Sequence, residues 1–201
     1  MEKKLEERLE KQIQFILEID KMKSVFRQTI LLDKSRMEND AEHSWHFAVT
    51  AMIMYEYVDN SSVNLLRVLK MALVHDLVEV YAGDTYAYDT TKDPDAVLER
   101  EQAAADKLFS LLPEDQGKEI RELWEEFDKR ESNDAKFASA MDCLQPFLHN
   151  YYTKGEMWKF HNVTSSQVYK RMERVKNGAP ELWTFVDSHI QDAIEKGYLE
   201  K

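Results

Sequence analysis

The spacing of apolar side chains along the chain predicts a mostly helical protein. Apolar residues recur three and four positions apart over long stretches, with polar residues between them, as in helices that bury one face. Glycine and proline are scarce, at 5 and 4 residues, which also favours long helices. The predicted helices cover residues 5–20, 40–59, 64–81, 95–112, 114–130, 133–154, 163–176 and 181–197, with a connector over 24–39 and a loop over 83–94.

One predicted helix is apolar nearly all round over residues 65–74, which is typical of a central, buried helix. Its end places ionisable side chains in quick succession: His75, Asp76, Glu79 and, after a glycine, Asp84. Residues three and four apart share a helix face, so we expect Glu79 near both His75 and Asp76. Such a cluster at the end of an apolar helix is costly without a compensating charge, and a divalent metal ion is the natural candidate.

Two other segments place residues of metal-ligand type among apolar neighbours. Asp40 is a plausible cap for the helix over 40–59, and His43 and His46 follow three residues apart in its first turns. Of the two histidines, His43 is the better ligand candidate because it lies at the helix start, where a side chain can face a cleft. Asp142 stands alone among apolar residues, and a carboxylate there is rarely buried unless it is paired or bound to metal.

The four candidate ligands are two imidazoles and two carboxylates: His43, His75, Asp76 and Asp142. Such a mixed nitrogen and oxygen set suits Mn, Fe, Co, Ni or Zn rather than a structural zinc site, which would need thiolates. A metal with open positions acidifies bound water at neutral pH, so the predicted chemistry is hydrolysis without a redox cofactor. Glu79 and Asp84 would then serve as bases or proton shuttles.

Composition and net charge limit the classes of partner that the chain is expected to bind. The chain has 201 residues, 43% of them hydrophobic, which is enough for one large helical domain. Its formal net charge of −11 disfavours binding to a nucleic acid polymer, since an acidic surface repels polyanions. A small phosphorylated substrate stays compatible with this charge, because a metal and one or two arginines can invert the local field.

The expected compartment is the cytoplasm. The chain's one cysteine, Cys143, cannot form an internal disulfide, and residues 1–8 contain no apolar signal core. No apolar run approaches the roughly 18 residues that a membrane span needs, so we expect no membrane association.

The order His…His-Asp…Asp resembles the HD-domain superfamily of metal-dependent phosphohydrolases. The closer likeness is to its 5′-deoxynucleotidase branch, which includes HD domain-containing protein 2-like sequences. The resemblance spans about residues 10–155. The segments that carry it are Arg36–Asn39 running into Glu42–Ser44, then His75–Val80 with Gly83–Asp84, and finally Asp142.

The resemblance implies an all-α fold, the HD-domain helical bundle, in a protein that is usually a homodimer. We expect a single domain over 1–201, with a core over about 10–155 and the C-terminal helices of 156–201 packed on it. By the same likeness, one divalent ion (Mn, Co, Fe, Ni, Zn or Mg) would be held by His43, His75, Asp76 and Asp142.

The resemblance also assigns roles around the metal. Glu79 would act on the attacking water or the leaving group, and Asp84 would be the second catalytic carboxylate, near the sugar. Arg27 would contact the phosphate, although its sequence context alone favours a surface residue whose stem covers apolar neighbours. Two positions depart from the family pattern: Gln28 stands where bacterial 5′-deoxynucleotidases have tryptophan, and residues 85–88 replace a proline-bearing segment.

The function predicted from these observations is phosphate release from (deoxy)nucleoside 5′-monophosphates by metal-activated water. One alternative is hydrolysis of another phosphorylated metabolite, such as a cyclic or polyphosphorylated nucleotide. Another is a non-enzymatic helical interaction protein whose metal is structural. Because Gln28 and the 84–94 loop depart from the family pattern, the base and the sugar stay open.

Overall fold

The computed structural model describes residues 2–58 and 62–201, and helices make up most of this part of the chain. The predicted all-α class is confirmed. The helices are α1 Glu2–Glu18, α2 Asp40–Met54, α3 Leu65–Val74, α4 Glu79–Ala82, α5 Pro94–Phe109, α6 Glu114–Lys129, α7 Asn133–Tyr152, α8 Glu156–Phe160, α9 Ser165–Gly178 and α10 Trp183–Glu195. Short 3₁₀ helices cover Ile19–Ser24, Tyr55–Tyr57 and Pro180–Leu182, and the strands are β1 Phe26–Ile30 and β2 Met37–Asn39.

The helix at the centre of the fold is α7, whose residues are buried along most of its length. Helices α2, α3, α6 and α9 pack around it. The approach of α9 is close at Gly178, where an added Cβ would lie 2.1 Å from the carbonyl oxygen of Lys136. Because α2, α3 and α7 meet in the core, polar side chains on their facing sides are brought together away from solvent.

The predicted continuous helix over 64–81 is wrong in its second half. Asn64 caps α3 and accepts the Arg67 N–H at 3.2 Å. The helix ends at Val74, however, and a turn over 75–78 leads into α4. In this turn the backbone bonds tighten to three-residue spacing, such as Glu79 N–H to the Asp76 carbonyl at 2.9 Å. Helix α4 then ends at Ala82, followed by Gly83, whose φ of 72° suits glycine.

The predicted connector over 24–39 contains an antiparallel hairpin of β1 and β2. The hairpin pairs Phe26 with Asn39, which makes Asn39 rather than Asp40 the cap of α2. Asn39 accepts the Glu42 N–H at 3.0 Å, and the Glu42 carboxylate accepts the Asn39 N–H at 3.2 Å, forming a capping box. The predicted cap, Asp40, is the first residue of the helix and is fully buried.

Other helix boundaries shift by a few residues. Ser132 caps α7, and the short α8 is not among the predicted helices. Helix α2 ends at Met54, and the predicted end at residue 59 lies outside the described residues. Within the described part of the chain, no helix combines the length and the apolar character that a membrane span requires.

Candidate active site

The four predicted ligands come together from three elements. His43 lies in the first turn of α2, His75 and Asp76 follow α3, and Asp142 lies in the middle of α7. His43 Nε2 is 3.1 Å from Asp142 Oδ1 and 3.9 Å from Asp76 Oδ2. His75 Nε2 is 3.0 Å from Asp76 Oδ2 and 3.8 Å from Asp142 Oδ1. Two nitrogen and two oxygen atoms therefore alternate around a ring, which we call the four-residue ring.

The hydrogen bonds of the two imidazoles fit a cation at the centre of this ring. The Nδ1–H of His75 donates to the Ala72 carbonyl at 3.0 Å, and that of His43 donates to Gln145 Oε1 at 2.9 Å. Each neutral imidazole then has a lone pair on Nε2 facing the carboxylates. His75 Nε2 is buried without a hydrogen-bond partner. A divalent cation between these atoms would satisfy all four, so the residues present fit a metal ion.

Electrostatics keep His43, Asp76 and Asp142 in the forms that bind metal. For His75, burial lowers the pKa but the charges of Asp76 and Asp142 outweigh it and raise the pKa, an effect that a cation bound at its Nε2 would reverse. Burial and the charge of Arg27 lower the pKa of His43 to about 4, so this imidazole is neutral. Burial alone would raise the pKa of Asp76, but the charges of His75 and Arg27 hold it below the usual range. Burial likewise opposes ionisation of Asp142, yet its bond to His43 and the charge of Arg171 hold its pKa well below the usual range.

Arg27 lies at the edge of the ring and not on the surface. Its side chain is 12% exposed, and its Nη1 donates to Asp76 Oδ2 at 2.6 Å and to Asp40 Oδ1 at 3.3 Å. Its Nε lies 4.0 Å from Glu38 Oε2. The hairpin causes this placement, because β1 runs beside the start of α2. A guanidinium held among three carboxylates can donate to an anion that enters beside the ring.

Glu79 and Asp84 line the same cavity as Arg27 and Asp76. Burial, followed by the charges of Asp76 and Asp40, raises the pKa of Glu79 well above its usual range. Burial also raises the pKa of Asp84. Glu79 Oε2 and Asp40 Oδ2 are buried without hydrogen-bond partners, and Asp40, Asp76 and Glu79 can place oxygens within 4.8 Å of one another. Asp40 thus joins the site, a role that the sequence did not predict.

The loop after Gly83 covers this cavity, which has a volume of about 160 Å³. Thr85 accepts a hydrogen bond from Arg100 at 2.6 Å, and the ring of Tyr86 lies 4.3 Å from that of His161. Gln28, Tyr86 and Tyr88 line the cavity with the catalytic candidates. The two positions where this chain departs from the family pattern therefore both face it.

A buried polar network behind the ring was missed in the sequence. The Gln145 side-chain amide donates to Glu38 Oε1 at 2.7 Å and lies 3.1 Å from His46 Nδ1 and 3.2 Å from His149 Nε2. Burial raises the pKa of Glu38 to about 7. Glu38, His46 and His149 lie close enough together to hold a metal ion, but the Gln145 side-chain nitrogen lies among their ligand atoms. We therefore interpret the cluster as the support that orients the Gln145 oxygen towards His43.

A local signal for Gln145 was present. It lies three residues after Asp142, so the two share a face of α7 in an otherwise apolar stretch. His149 lies one further turn along the same helix.

Comparison with known proteins gives one consistent family. A family model described as an HD domain matches residues 19–183. The chain is similar to 5′-deoxynucleotidase HDDC2 of Homo sapiens, with 33% identity over 68% of this chain and 65% of that protein. The likeness to HDDC2 of Xenopus laevis is 29% over 82% of each. The matched region spans 65% of the human and 64% of the Bos taurus protein, slightly under two thirds.

Solved structures resemble the whole chain. A crystal structure of a "predicted metal-dependent phosphohydrolase" from Magnetospirillum magnetotacticum MS-1 is 46% identical, with a TM-score of 0.93 over 98% of this chain and 97% of that one. An HD-domain phosphohydrolase from Listeria innocua shares the fold, with a TM-score of 0.63 at 19% identity.

Proposed function

This chain belongs to the HD-domain family, and on that premise we propose that it is a divalent-metal-dependent phosphohydrolase acting on (deoxy)nucleoside 5′-monophosphates. The proposal rests on the four-residue ring, whose two imidazole nitrogens and two carboxylate oxygens alternate beside Arg27. The relatives named 5′-deoxynucleotidase support a nucleotide as the substrate. The Magnetospirillum protein, similar over nearly the whole chain, supports metal-dependent phosphate chemistry.

In the proposed enzyme, His43, His75, Asp76 and Asp142 hold one divalent ion. When bound, such an ion supplies an acidified water and polarises a phosphoryl oxygen. The donor set suits Mn, Co, Fe, Ni or Zn, and its two carboxylates also admit Mg. The orientation of His43 depends on Gln145, whose oxygen accepts the Nδ1–H at 2.9 Å.

Arg27 binds the phosphate in this proposal. Its guanidinium already lies beside Asp76 and Asp40. A phosphate oxygen that enters the cavity would replace one of these carboxylates as the hydrogen-bond acceptor of Arg27. A planar guanidinium can hold two oxygens at once, which fixes the orientation of the phosphate.

Glu79 transfers protons in this proposal, and Asp84 is the second catalytic carboxylate, near the sugar. Glu79 Oε2 is buried and without a hydrogen-bond partner on the cavity side, so it can exchange a proton with the attacking water or the leaving oxygen. Asp84 lies in the loop beside Gln28 and Tyr86, where a sugar hydroxyl would lie once the phosphate is at Arg27.

The test is phosphate release by the purified protein, assayed with each divalent metal on a panel of nucleoside monophosphates and generic phosphomonoesters. We expect metal-dependent release of inorganic phosphate that chelator abolishes. The His75→Ala variant, purified identically, controls for contaminating phosphatases. Absence of phosphate release across all metals and substrates would refute the proposal, and release of pyrophosphate or a ring-opened monophosphate would reassign the substrate.

We also propose that the enzyme is a homodimer. An apolar stripe of exposed residues follows one side of α1: Leu5, Leu9, Ile13 and Ile16. The neighbouring side of α1 is already held against α6, for instance by Gln12 donating to Gln116 at 2.7 Å. A second copy would bury the stripe. Sedimentation is expected to give a dimer for the wild type and a monomer for the double variant Leu9→Lys/Ile16→Lys, and a wild-type monomer would contradict the proposal.

The proposed compartment is the cytoplasm. Cys143 is the chain's one cysteine, and it is buried as a free thiol inside α7. A fold that uses no disulfide is suited to a reducing compartment. Cell fractionation with an antibody to the protein tests this assignment.

A further inference from the structure

A second, strongly basic cavity adjoins the candidate active site. It has a volume of about 390 Å³ and shares Tyr88 and Arg171 with the catalytic cavity. The basic residues among its lining are Arg130, Lys170, Arg171 and Arg174. Among the described residues that line it, Glu173 is the one acidic side chain. This local excess of positive charge stands in a chain whose net charge is −11.

Helix packing brings the three arginines together. Arg171 and Arg174 are three residues apart on α9 and share the face that meets α7. Arg130 follows the last turn of α6, in a left-handed conformation with φ of 54°. Side chains from two helix segments therefore converge behind the loop that carries Tyr88.

The carboxylate that lies within ion-pair distance of Arg171 and Arg174 is Asp142, which also belongs to the four-residue ring. Arg171 Nη2 and Arg174 Nη1 each lie 3.7 Å from Asp142 Oδ2, a separation longer than a direct hydrogen bond. The other oxygen of Asp142, Oδ1, faces His43 at 3.1 Å. A single carboxylate that also serves the ring cannot fully balance both of these guanidinium groups.

Arg130 is exposed, but its guanidinium is partly covered, and its pKa is lowered first by this partial burial and then by the charge of Arg174. Like charges that line one cavity repel each other unless an anion joins them. Guanidinium groups with free donors are well matched to a phosphoryl group, which offers several acceptor oxygens.

We propose that Arg130, Arg171 and Arg174 form a second phosphate-binding subsite, separate from the position of the reacting phosphate beside Arg27. The inference deepens the proposed function and rests on it for the position of the reacting phosphate. The occupant is a phosphoryl group, either a second phosphate on the substrate or free inorganic phosphate. In both cases Arg171, which lines both cavities, lies between the two phosphates.

The binding test is calorimetric titration of the metal-loaded full chain with inorganic phosphate. We expect two phosphate sites per chain in the wild type. The double variant Arg130→Gln/Arg174→Gln should weaken one of them about tenfold or more, as expected for lost charge-assisted hydrogen bonds. Arg27→Gln should weaken the other. Lys176→Gln, a charge removal on the same helix where the lysine lies over Trp183, should change neither.

One phosphate site in the wild type, or a double variant that binds like Lys176→Gln, would overturn the subsite. Metal content and melting temperature are measured for every variant. If the double variant does not fold, Arg130→Gln alone serves, because Arg130 is exposed at a helix end. A protein whose arginines only orient Asp142 would lose metal and keep both phosphate sites, which also contradicts the inference.

Kinetics then identify the source of the phosphate. If the substrate supplies it, the double variant raises KM for a nucleoside 3′,5′-bisphosphate and leaves KM for the 5′-monophosphate unchanged. If free phosphate supplies it, the double variant relieves inhibition by added phosphate that does not compete with substrate. In an enzyme that releases phosphate, no change in either measurement refutes the subsite. The titration needs no turnover, so two phosphate sites in a protein without phosphatase activity would defeat the proposed function and leave this inference standing.

Discussion

The candidate site has a metal half and a substrate half that are built from different kinds of structure. The metal half places His43, His75 and Asp142 on or next to helices of the core, and each is at most 5% exposed. The substrate half consists of β1, which carries Arg27 and Gln28, and the loop after Gly83. Packing among several helices fixes the metal half, whereas one hairpin and a few contacts between aromatic rings hold the substrate half. Substitutions in the metal half should therefore abolish function, and those in the substrate half should redirect it.

The largest effect on metal binding is expected from Asp142→Ala. The substitution removes one member of the ring and leaves His43, Arg171 and Arg174 without their shared carboxylate. We expect metal affinity to fall by more than about 100-fold, beyond the roughly 10–100-fold typical of outer-shell partners. Elemental analysis and metal titration measure the loss.

The matched control is Ser139→Ala, one turn earlier on α7, where a buried hydroxyl has no hydrogen-bond partner. This variant should keep its metal. Metal content near that of the wild type in Asp142→Ala would remove Asp142 from the metal half.

Glu79→Gln tests whether Glu79 belongs to the chemistry or to the metal. The amide keeps the shape of the side chain but cannot take up the proton, so turnover should fall by roughly 10²–10⁴-fold with metal content unchanged. Steady-state phosphate release and elemental analysis are measured on the same preparation. Glu101→Gln, a partly buried carboxyl on α5 outside the cavity, serves as the control and should retain turnover. Loss of metal in Glu79→Gln would move Glu79 into the metal half.

The two halves also differ in how far the sequence predicted them. The prediction of an all-α HD-domain fold is confirmed. In the metal half, His75 and Asp142 interrupt apolar helices, and a buried polar group is costly enough to be informative by itself. The residues proposed as ligands therefore stood out before the structure placed them together.

The substrate half depends on contacts between distant residues. Arg27 meets Asp40 because of the hairpin, and the short segment 26–30 carries no clear alternation of apolar and polar residues. Arg171 meets Asp142 through the packing of α9 on α7, for which no local pattern exists. The break after Val74 was missed for a related reason: apolar residues continue past it, and the turn depends on tertiary contacts of His75 and Asp76.

Gln145→Leu tests whether Gln145, behind the four-residue ring, contributes to metal affinity. The substitution keeps a similar volume and removes the oxygen that accepts the His43 Nδ1–H. We expect metal affinity to fall about 10–100-fold, the usual cost of losing an outer-shell partner of a ligating histidine. The control is again Ser139→Ala on the same helix, which removes a hydroxyl without a hydrogen-bond partner and should leave metal affinity unchanged. Equal metal affinities in the wild type and Gln145→Leu would confine the metal half to the ring itself.

The smallest effect on activity is expected from Gln28→Trp, which changes the substrate half alone. Gln28 lines the cavity beside Asp84 and Tyr86 and makes none of the contacts that join the ring. An indole there offers a flat surface for a base or sugar, so it should shift the ratio of kcat/KM between deoxy- and ribonucleotides by roughly tenfold, within the range for a change of pocket contacts. Metal affinity and the rate on the better substrate should stay near wild type. Gln28→Ala removes the amide without adding an indole, so it separates the effect of losing the amide from the effect of gaining the indole. If Gln28→Trp instead lowered metal affinity, the two halves would be coupled through Arg27, and the division between them would fail.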